Sequence, residues 1–179
     1  DGTQSKTITI TDNESAPTVT LSTSASSVAE NGSDLTLTAT LSVATTSNVT
    51  VTLTGSGTST AGTDYASLST ITINAGSTTG TTTFNPTDDS VYEGSETAII
   101  AITGVSGGSA TESGTQSKTI TITDNESAPT VALSSSSSSV SESGSNLTLT
   151  ATLSVVANVD VVVTLGASGS ATEGTHYAS

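Results

Sequence analysis

Four carboxylates fall within one short stretch of this 179-residue chain. The stretch reads Asp-Asp-Ser-Val-Tyr-Glu-Gly-Ser-Glu, and its acids are Asp88, Asp89, Glu93 and Glu96. The two basic residues of the chain, Lys6 and Lys118, are distant in sequence. Two like charges about 4 Å apart repel by roughly 1 to 4 kcal/mol between water and a protein surface. A bound divalent cation would remove this repulsion.

The residue types favour calcium among the divalent cations. Calcium accepts six to eight oxygen ligands at about 2.3 to 2.6 Å in flexible geometry, which loops can supply. Magnesium requires a tighter octahedron and keeps its waters, and zinc prefers histidine or cysteine. The chain has no cysteine, and its one histidine, His176, lies far along the sequence. The alternative interpretation is a solvated acidic surface without a metal.

Composition excludes several classes of partner. Asp and Glu number 16 against 2 basic residues, so the formal charge is −14 and nucleic acid or an anionic membrane surface is a poor partner. Only 10% of residues are charged, which argues against a disordered polyelectrolyte. The apolar run Ala98–Ile102 is far too short to cross a bilayer, so we expect no membrane insertion in this segment.

Long segments of the sequence recur at one constant offset. Gly2–Ser22 recurs almost unchanged as Gly114–Ser134, and Val28–Ser42 recurs as Val140–Ser154, so paired residue numbers differ by 112 in both cases. A period of this length is the size of a domain, not of a solenoid rung. The repeat predicts three parts: residues 1–15 as the terminal strand of a preceding repeat, 16–127 as one complete domain, and 128–179 as the N-terminal half of a following repeat.

Apolar and polar residues alternate along several short segments of the complete repeat. The alternating apolar positions include Leu35, Leu37, Leu41, Val49, Val51, Leu53, Ile71, Ile73, Ala98, Ile100, Ile102, Ile120 and Ile122. A period of two is typical of half-buried strands. About seven such strands in about 110 residues predict an all-β fold, an immunoglobulin-like antiparallel β-sandwich in tandem repeats.

The order of four motifs resembles the Calx-β domain of sodium/calcium exchangers and many bacterial surface proteins. The motifs are Glu30, Gly62-Thr63-Asp64-Tyr65, the acidic stretch beginning at Asp88, and Ile120-x-Ile122-x-Asp124-Asn125-Glu126. The resemblance implies an immunoglobulin-like sandwich with a calcium cluster at one tip. It implies as ligands Glu30, Asp64, Asp88, Asp89, Glu93, Glu96, Asp124 and Glu126, with the main-chain carbonyl of Val91.

Two departures from the family pattern concern charge. Asn125 stands in a position where the family often carries another acid, which reduces the charge available for several ions. His176 stands in the following repeat where the complete repeat has Asp64, and a neutral imidazole is a poor calcium ligand. We therefore expect sites along the array to differ in affinity.

The expected function is a calcium-binding structural repeat module of an extracellular adhesin or filament, in which calcium stiffens the interdomain junctions. The alternative is a module that binds a glycan, ice or a host protein, with calcium incidental. Expected partners are neighbouring repeats or copies of the same protein, including by strand complementation, and a cell-surface ligand. An enzyme is not expected, because no nucleophile, base and orienting group converge in the sequence.

Overall fold

The computed structural model describes residues 2–11 and 13–177, which form eleven strands and no helix. The strands are β1 Thr18–Thr23, β2 Ser27–Ala29, β3 Leu35–Leu41, β4 Val49–Gly57, β5 Ile71–Ile73, β6 Thr79–Phe84, β7 Glu96–Ser106, β8 Thr111–Glu112, β9 Ser117–Thr123, β10 Val131–Ser135 and β11 Leu149–Leu153. Within the described ranges, no helix is long and apolar enough to span a membrane.

Two sheets of the complete repeat enclose one core. The first sheet has the strand order β6-β3-β1-β8 and the second has the order β2-β9-β7-β4-β5. Most neighbours are antiparallel, whereas β1 pairs with β8 and β2 pairs with β9 in parallel. The predicted all-β, immunoglobulin-like sandwich is confirmed.

The core consists of the alternating apolar residues from both sheets. Its buried members are Val19, Leu21, Leu35, Leu37, Ala39, Leu41, Val49, Val51, Leu53, Tyr65, Ile71, Ile73, Phe84, Ala98, Ile100, Ile102, Ala110, Ile120 and Ile122. Threonines and serines occupy most of the intervening, outward positions of β3 and β4. Alternation fixes the register, because a slip of one residue would turn the apolar set towards water.

The described part of the complete repeat has nine strands instead of the predicted seven. The segment before Glu30 forms two strands: β1, which pairs with β3 in one sheet, and β2, which pairs with β9 in the other. Ser24–Ser26 connect the two pieces and allow the chain to change sheets. The short β8 adds the ninth strand along the edge of β1.

An aromatic pair closes the core beneath the acidic loops. Tyr65 and Phe84 stack with ring centroids 4.9 Å apart and an interplanar angle of 25°. A side chain at Gly55 would collide with the Tyr65 hydroxyl, so the glycine leaves room for the ring. Tyr65 therefore packs over the end of the sandwich.

The following half-repeat reproduces the first hairpin of the complete domain. β10 and β11 pair antiparallel with Val131 opposite Leu153, and the equivalent positions in β1 and β3 pair Val19 with Leu41. Leu133 and Val162 are 57% and 87% exposed. Residues 2–11 pair with no described strand. The boundaries 1–15, 16–127 and 128–179 stay predictions, as does strand complementation, and parts of both terminal segments lie outside the described residues.

Neighbouring isoleucines of β7 provide a test of the sandwich. Ile100 is fully buried and Ile99 is 36% exposed on the opposite face. Replacing a buried isoleucine with alanine removes apolar contacts and leaves a cavity, at a cost of about 2 to 5 kcal/mol. We expect Ile100→Ala to lower the free energy of unfolding by this amount in urea denaturation, and the control Ile99→Ala to lower it much less. Equal losses would contradict the assignment of faces.

Candidate metal centre

Two groups of three carboxylates lie at the end of the sandwich where β2 and β9 end. The Glu30 cluster consists of Glu30, Asp124 and Glu126, and the Asp64 cluster consists of Asp64, Glu93 and Glu96. In each cluster, one oxygen from every side chain lies within 4.8 Å of the others. The distances are short enough for one cation to be shared by three carboxylates.

Parallel pairing of β2 and β9 brings the Glu30 cluster together. Ala29 is the register partner of Thr123, and the ladder continues as the Glu30 N–H donates to the Thr123 carbonyl at 3.0 Å. Both strands run in the same direction, so the residues that follow them leave the sheet side by side. Glu30 and Asp124 are therefore adjacent although they are far apart in sequence.

Burial removes water from two carboxylate oxygens of the Glu30 cluster, and no hydrogen bond from the part of the chain that the structure describes replaces the bonds to water. Glu30 is only 7% exposed, and its Oε1 and the Oε2 of Glu126 are buried without a hydrogen-bond partner among the described residues. Ionised carboxylates only accept hydrogen bonds, so two of them cannot satisfy each other. Burial, followed by the neighbouring Glu126 carboxyl, raises the pKa of Glu30 to about 7.

A tight turn holds Asp64 in the second cluster. The Thr60 N–H donates to Asp64 Oδ2 at 2.5 Å, and the Asp64 N–H donates back to the Thr60 carbonyl at 3.0 Å. The next residue, Tyr65, is anchored by its ring, which is buried in the core. Glu96 is the first residue of β7. Burial and the adjacent Asp64 carboxyl raise the pKa of Glu96 to about 7.

Asp124 links the two clusters through the backbone of the acidic stretch. Its Oδ2 accepts the N–H groups of Glu93 at 2.8 Å and Gly94 at 2.5 Å, and its Oδ1 accepts the Glu126 N–H at 2.8 Å. Gly94 has φ 75°, a conformation that glycine adopts without strain. Burial acts to raise the pKa of Asp124, but the three N–H donors outweigh it and hold that pKa below its usual value.

Three predicted ligands lie outside both clusters. Asp88 and Asp89 are exposed: Asp88 accepts a hydrogen bond from the Asn125 amide at 3.3 Å, and Asp89 accepts the Val91 N–H at 2.7 Å. These bonds shape the loop and tie it to the residues after β9. The metal-ligand roles of Asp88, Asp89 and Val91 stay predictions.

The following repeat touches the acidic stretch, a contact that the sequence analysis missed. Asn158 Nδ2 donates to Glu93 Oε1 at 2.8 Å, and the backbone of Tyr92 bonds to the backbone on both sides of Ala157. Burial raises the pKa of Glu93, and Asp64, Asp89 and Asp124 raise it further, whereas the Asn158 amide lowers it. In the sequence, the signal that sets Asn158 apart is its difference from Thr46, its counterpart in the complete repeat.

His176 keeps the turn of Asp64 without its charge. The His176 Nδ1 accepts the backbone N–H of Thr172 at 2.9 Å, and the backbone N–H of His176 donates to the Thr172 carbonyl at 2.8 Å. Asp64 makes the same two bonds with Thr60. The imidazole therefore replaces the carboxylate as a turn acceptor and removes one anionic oxygen from the equivalent position.

The arrangement fits a hard cation with oxygen ligands. Carboxylates supply all side-chain ligand atoms in both clusters, which suits calcium and not zinc. The buried, unpartnered oxygens of Glu30 and Glu126 would gain a partner from such an ion. Chemically, the arrangement can bind a cation and thereby order the loops that carry the carboxylates.

The raised pKa values of Glu30 and Glu96 predict how pH affects the calcium-free chain. Their folded-state values of about 7 exceed the ordinary 4.5, so their contribution to stability is complete below about pH 4.5 and is lost as the pH rises through 7. We expect a higher melting temperature at pH 5 than at pH 8 in chelator, and a smaller difference in Glu30→Gln. Asp124 titrates below this range. Greater stability at pH 8 would contradict the prediction.

Comparison with known proteins supports the fold and gives the family. The LapA domain model matches residues 15–125, and the Calx-beta domain model matches residues 124–179. The apo-form CBD1 domain of Calx is 19% identical with a TM-score of 0.51, covering 61% of this chain and 99% of that domain. CBD12 from CALX1.2 is 20% identical with a TM-score of 0.50, covering 59% of this chain and 44% of that protein.

No curated protein matches the sequence. Because the two solved structures are only 19% and 20% identical to this chain, their likeness speaks to the fold alone. The matches to the family models cover adjoining parts of the sequence, and together they extend from residue 15 to the end. The chain belongs to the LapA domain family, whose model matches its complete sandwich, and the segment that follows is similar to the Calx-beta domain.

Proposed function

We propose that the complete repeat binds calcium at the end of the sandwich where its carboxylates collect. The observation that carries the proposal is the buried Glu30 oxygen without a hydrogen-bond partner, facing Asp124 and Glu126. A fold that desolvates three carboxylates together is stable near neutral pH when a cation offsets their repulsion. Calx-beta domains are calcium-binding modules, which supports the same ion for this chain.

The Asp64 cluster supplies a second cation position in this proposal. Burial and the adjacent Asp64 carboxyl raise the pKa of Glu96, so a cation between the two side chains would stabilise the ionised form of Glu96. The acidic stretch joins the two positions, because Asp124 of the first cluster holds the backbone of Glu93 in the second. Occupation of one position would thus order ligands of the other.

We further propose that the domain is a structural repeat module of an extracellular adhesin or filament, with a binding role and no catalysis. The recurrence of long segments at one constant offset supports an array, and the direct contact between Tyr92 and Val156 supports a close junction. Because the acidic stretch carries two members of the Asp64 cluster, Glu93 and Glu96, as well as Tyr92 of this contact, bound calcium would stiffen the junction.

Removal of the buried Glu30 charge is the direct test of calcium binding. In isothermal titration calorimetry of the full chain, we expect calcium to bind, magnesium to bind more weakly, and Glu30→Gln to reduce calcium affinity by about tenfold or more, a loss of about 1.4 kcal/mol. The matched control is Glu112→Gln, which removes one charge at the opposite end of the seven-residue β9, roughly 23 Å away. Absence of calcium binding by the unmodified chain would end the proposal.

Stiffening predicts slower hydrogen exchange at the junction. Two backbone amides donate across the junction: that of Tyr92 to the Val156 carbonyl at 2.9 Å, and that of Asn158 to the Tyr92 carbonyl at 3.0 Å. We expect calcium to slow exchange at these two amides, because the ion fixes the acidic stretch that carries Tyr92. The Thr20 amide of β1, remote from the clusters, provides the internal reference. Unchanged exchange at Tyr92 in saturating calcium would argue for binding without stiffening.

A further inference from the structure

The acidic stretch is held from outside by a short segment of the following repeat. The Tyr92 N–H donates to the Val156 carbonyl at 2.9 Å, and the Asn158 N–H donates to the Tyr92 carbonyl at 3.0 Å. Beside these backbone bonds, Asn158 Nδ2 donates to Glu93 Oε1 at 2.8 Å. Residues 156–158 therefore fix both the backbone at Tyr92 and the side chain at Glu93.

Glu93 needs such support because its side chain is flexible and other carboxylates surround it. Its side chain has three rotatable bonds, and fixing a glutamate side chain costs up to about 2 kcal/mol of conformational entropy. Asp64, Asp89 and Asp124 all act electrostatically on its carboxylate and favour positions farther away. In the described part of the chain, the donor that opposes this repulsion is the Asn158 amide. One Glu93 oxygen is held, and the other remains available as a ligand.

We infer that Asn158 is a positioning residue for the Asp64 cluster, so that the calcium affinity of one repeat is set in part by a side chain of the next. The inference rests on the proposed calcium function and concerns only how the second cation position is organised. A hydrogen bond that orients a metal ligand typically changes metal affinity by about 10- to 100-fold when it is removed. By linkage, calcium at the Asp64 cluster strengthens the contact with residues 156–158 by the same factor.

The complete repeat differs from its successor at this position. Thr46 occupies the place of Asn158, whereas the bonds that support the two loops are the same: Ser42 N–H to the Thr18 carbonyl at 2.8 Å, and Ser154 N–H to the Thr130 carbonyl at 2.9 Å. Threonine has no amide and a shorter side chain. The threonine hydroxyl is a donor on a shorter side chain, so we expect a junction built with threonine to hold the facing glutamate less well and successive junctions of the array to differ in calcium affinity.

The experiment replaces Asn158 with the residue of the other repeat. Calcium titration of the full chain by calorimetry is compared for the unmodified chain, Asn158→Thr, Asn158→Ala and the control Asn146→Thr, which makes the same change in an exposed part of the same half-repeat. We expect Asn158→Thr and Asn158→Ala to weaken the calcium step assigned to the Asp64 cluster by about tenfold. The calcium step that Glu30→Gln weakens should change much less in the two Asn158 variants, and the Asn146→Thr titration should match that of the unmodified chain.

A second measurement separates the amide from the backbone contact. Hydrogen exchange of the Tyr92 backbone amide is measured without calcium. If this amide stays protected from exchange in Asn158→Thr, the backbone contact is intact, and the loss of affinity supports positioning of Glu93 by the Asn158 side chain. Protection lost together with affinity would assign the effect to docking of the backbone and overturn the inference. Unchanged affinity in both Asn158 variants would also overturn it while leaving calcium binding intact. Failure of the unmodified chain to bind calcium would instead refute the proposed function.

Discussion

The carboxylate of Asp124 is the connection on which the arrangement of both acidic clusters depends. It lies at the end of β9, beside Glu30, and accepts the backbone N–H groups of Glu93 and Gly94. Those two bonds keep a loop rich in negative charge close to other negative charges. Without them, repulsion would favour an open loop, and the six clustered carboxylates would separate into unrelated surface acids.

The fold thus creates an electrostatic cost that it does not itself remove. Parallel pairing forces Glu30 against Asp124, and the turn at Thr60 forces Asp64 towards Glu96. Protons can relieve the repulsion below neutral pH, and an oxygen-binding cation can relieve it above. Basic side chains do not, because the chain has only two: Lys6 is distant in sequence from the clusters, and Lys118 lies at the opposite end of β9 from Asp124. In the proposed calcium-binding role, the same geometry would favour the ion-bound domain over the free one.

The sequence predicted the core and the location of the acidic residues, but not their division into two clusters. Strict alternation in β3, β4 and β7 specifies one buried face, so those strands follow from local pattern alone. The division into two clusters depends on which strands are neighbours, and Ser24–Ser26 carry no signal that the chain changes sheets there. The sequence distinguishes Asn158 from its counterpart Thr46, but the contact of Asn158 with Glu93 could not be predicted, because it joins different repeats. For His176, the sequence revealed that the charge of Asp64 is lost, but not that the histidine keeps the hydrogen-bonded turn of Asp64.

The two parallel pairings also determine how the domain would carry tension. The chain enters the sandwich at β1 and leaves it after β9, and both the β1–β8 and the β2–β9 pairs run in the same direction. A pull on the two ends draws β2 and β9 past each other along their length. Such a load is shear, in which the registered pairs from Ser27–Thr121 to Ala29–Thr123 must yield together instead of opening one by one.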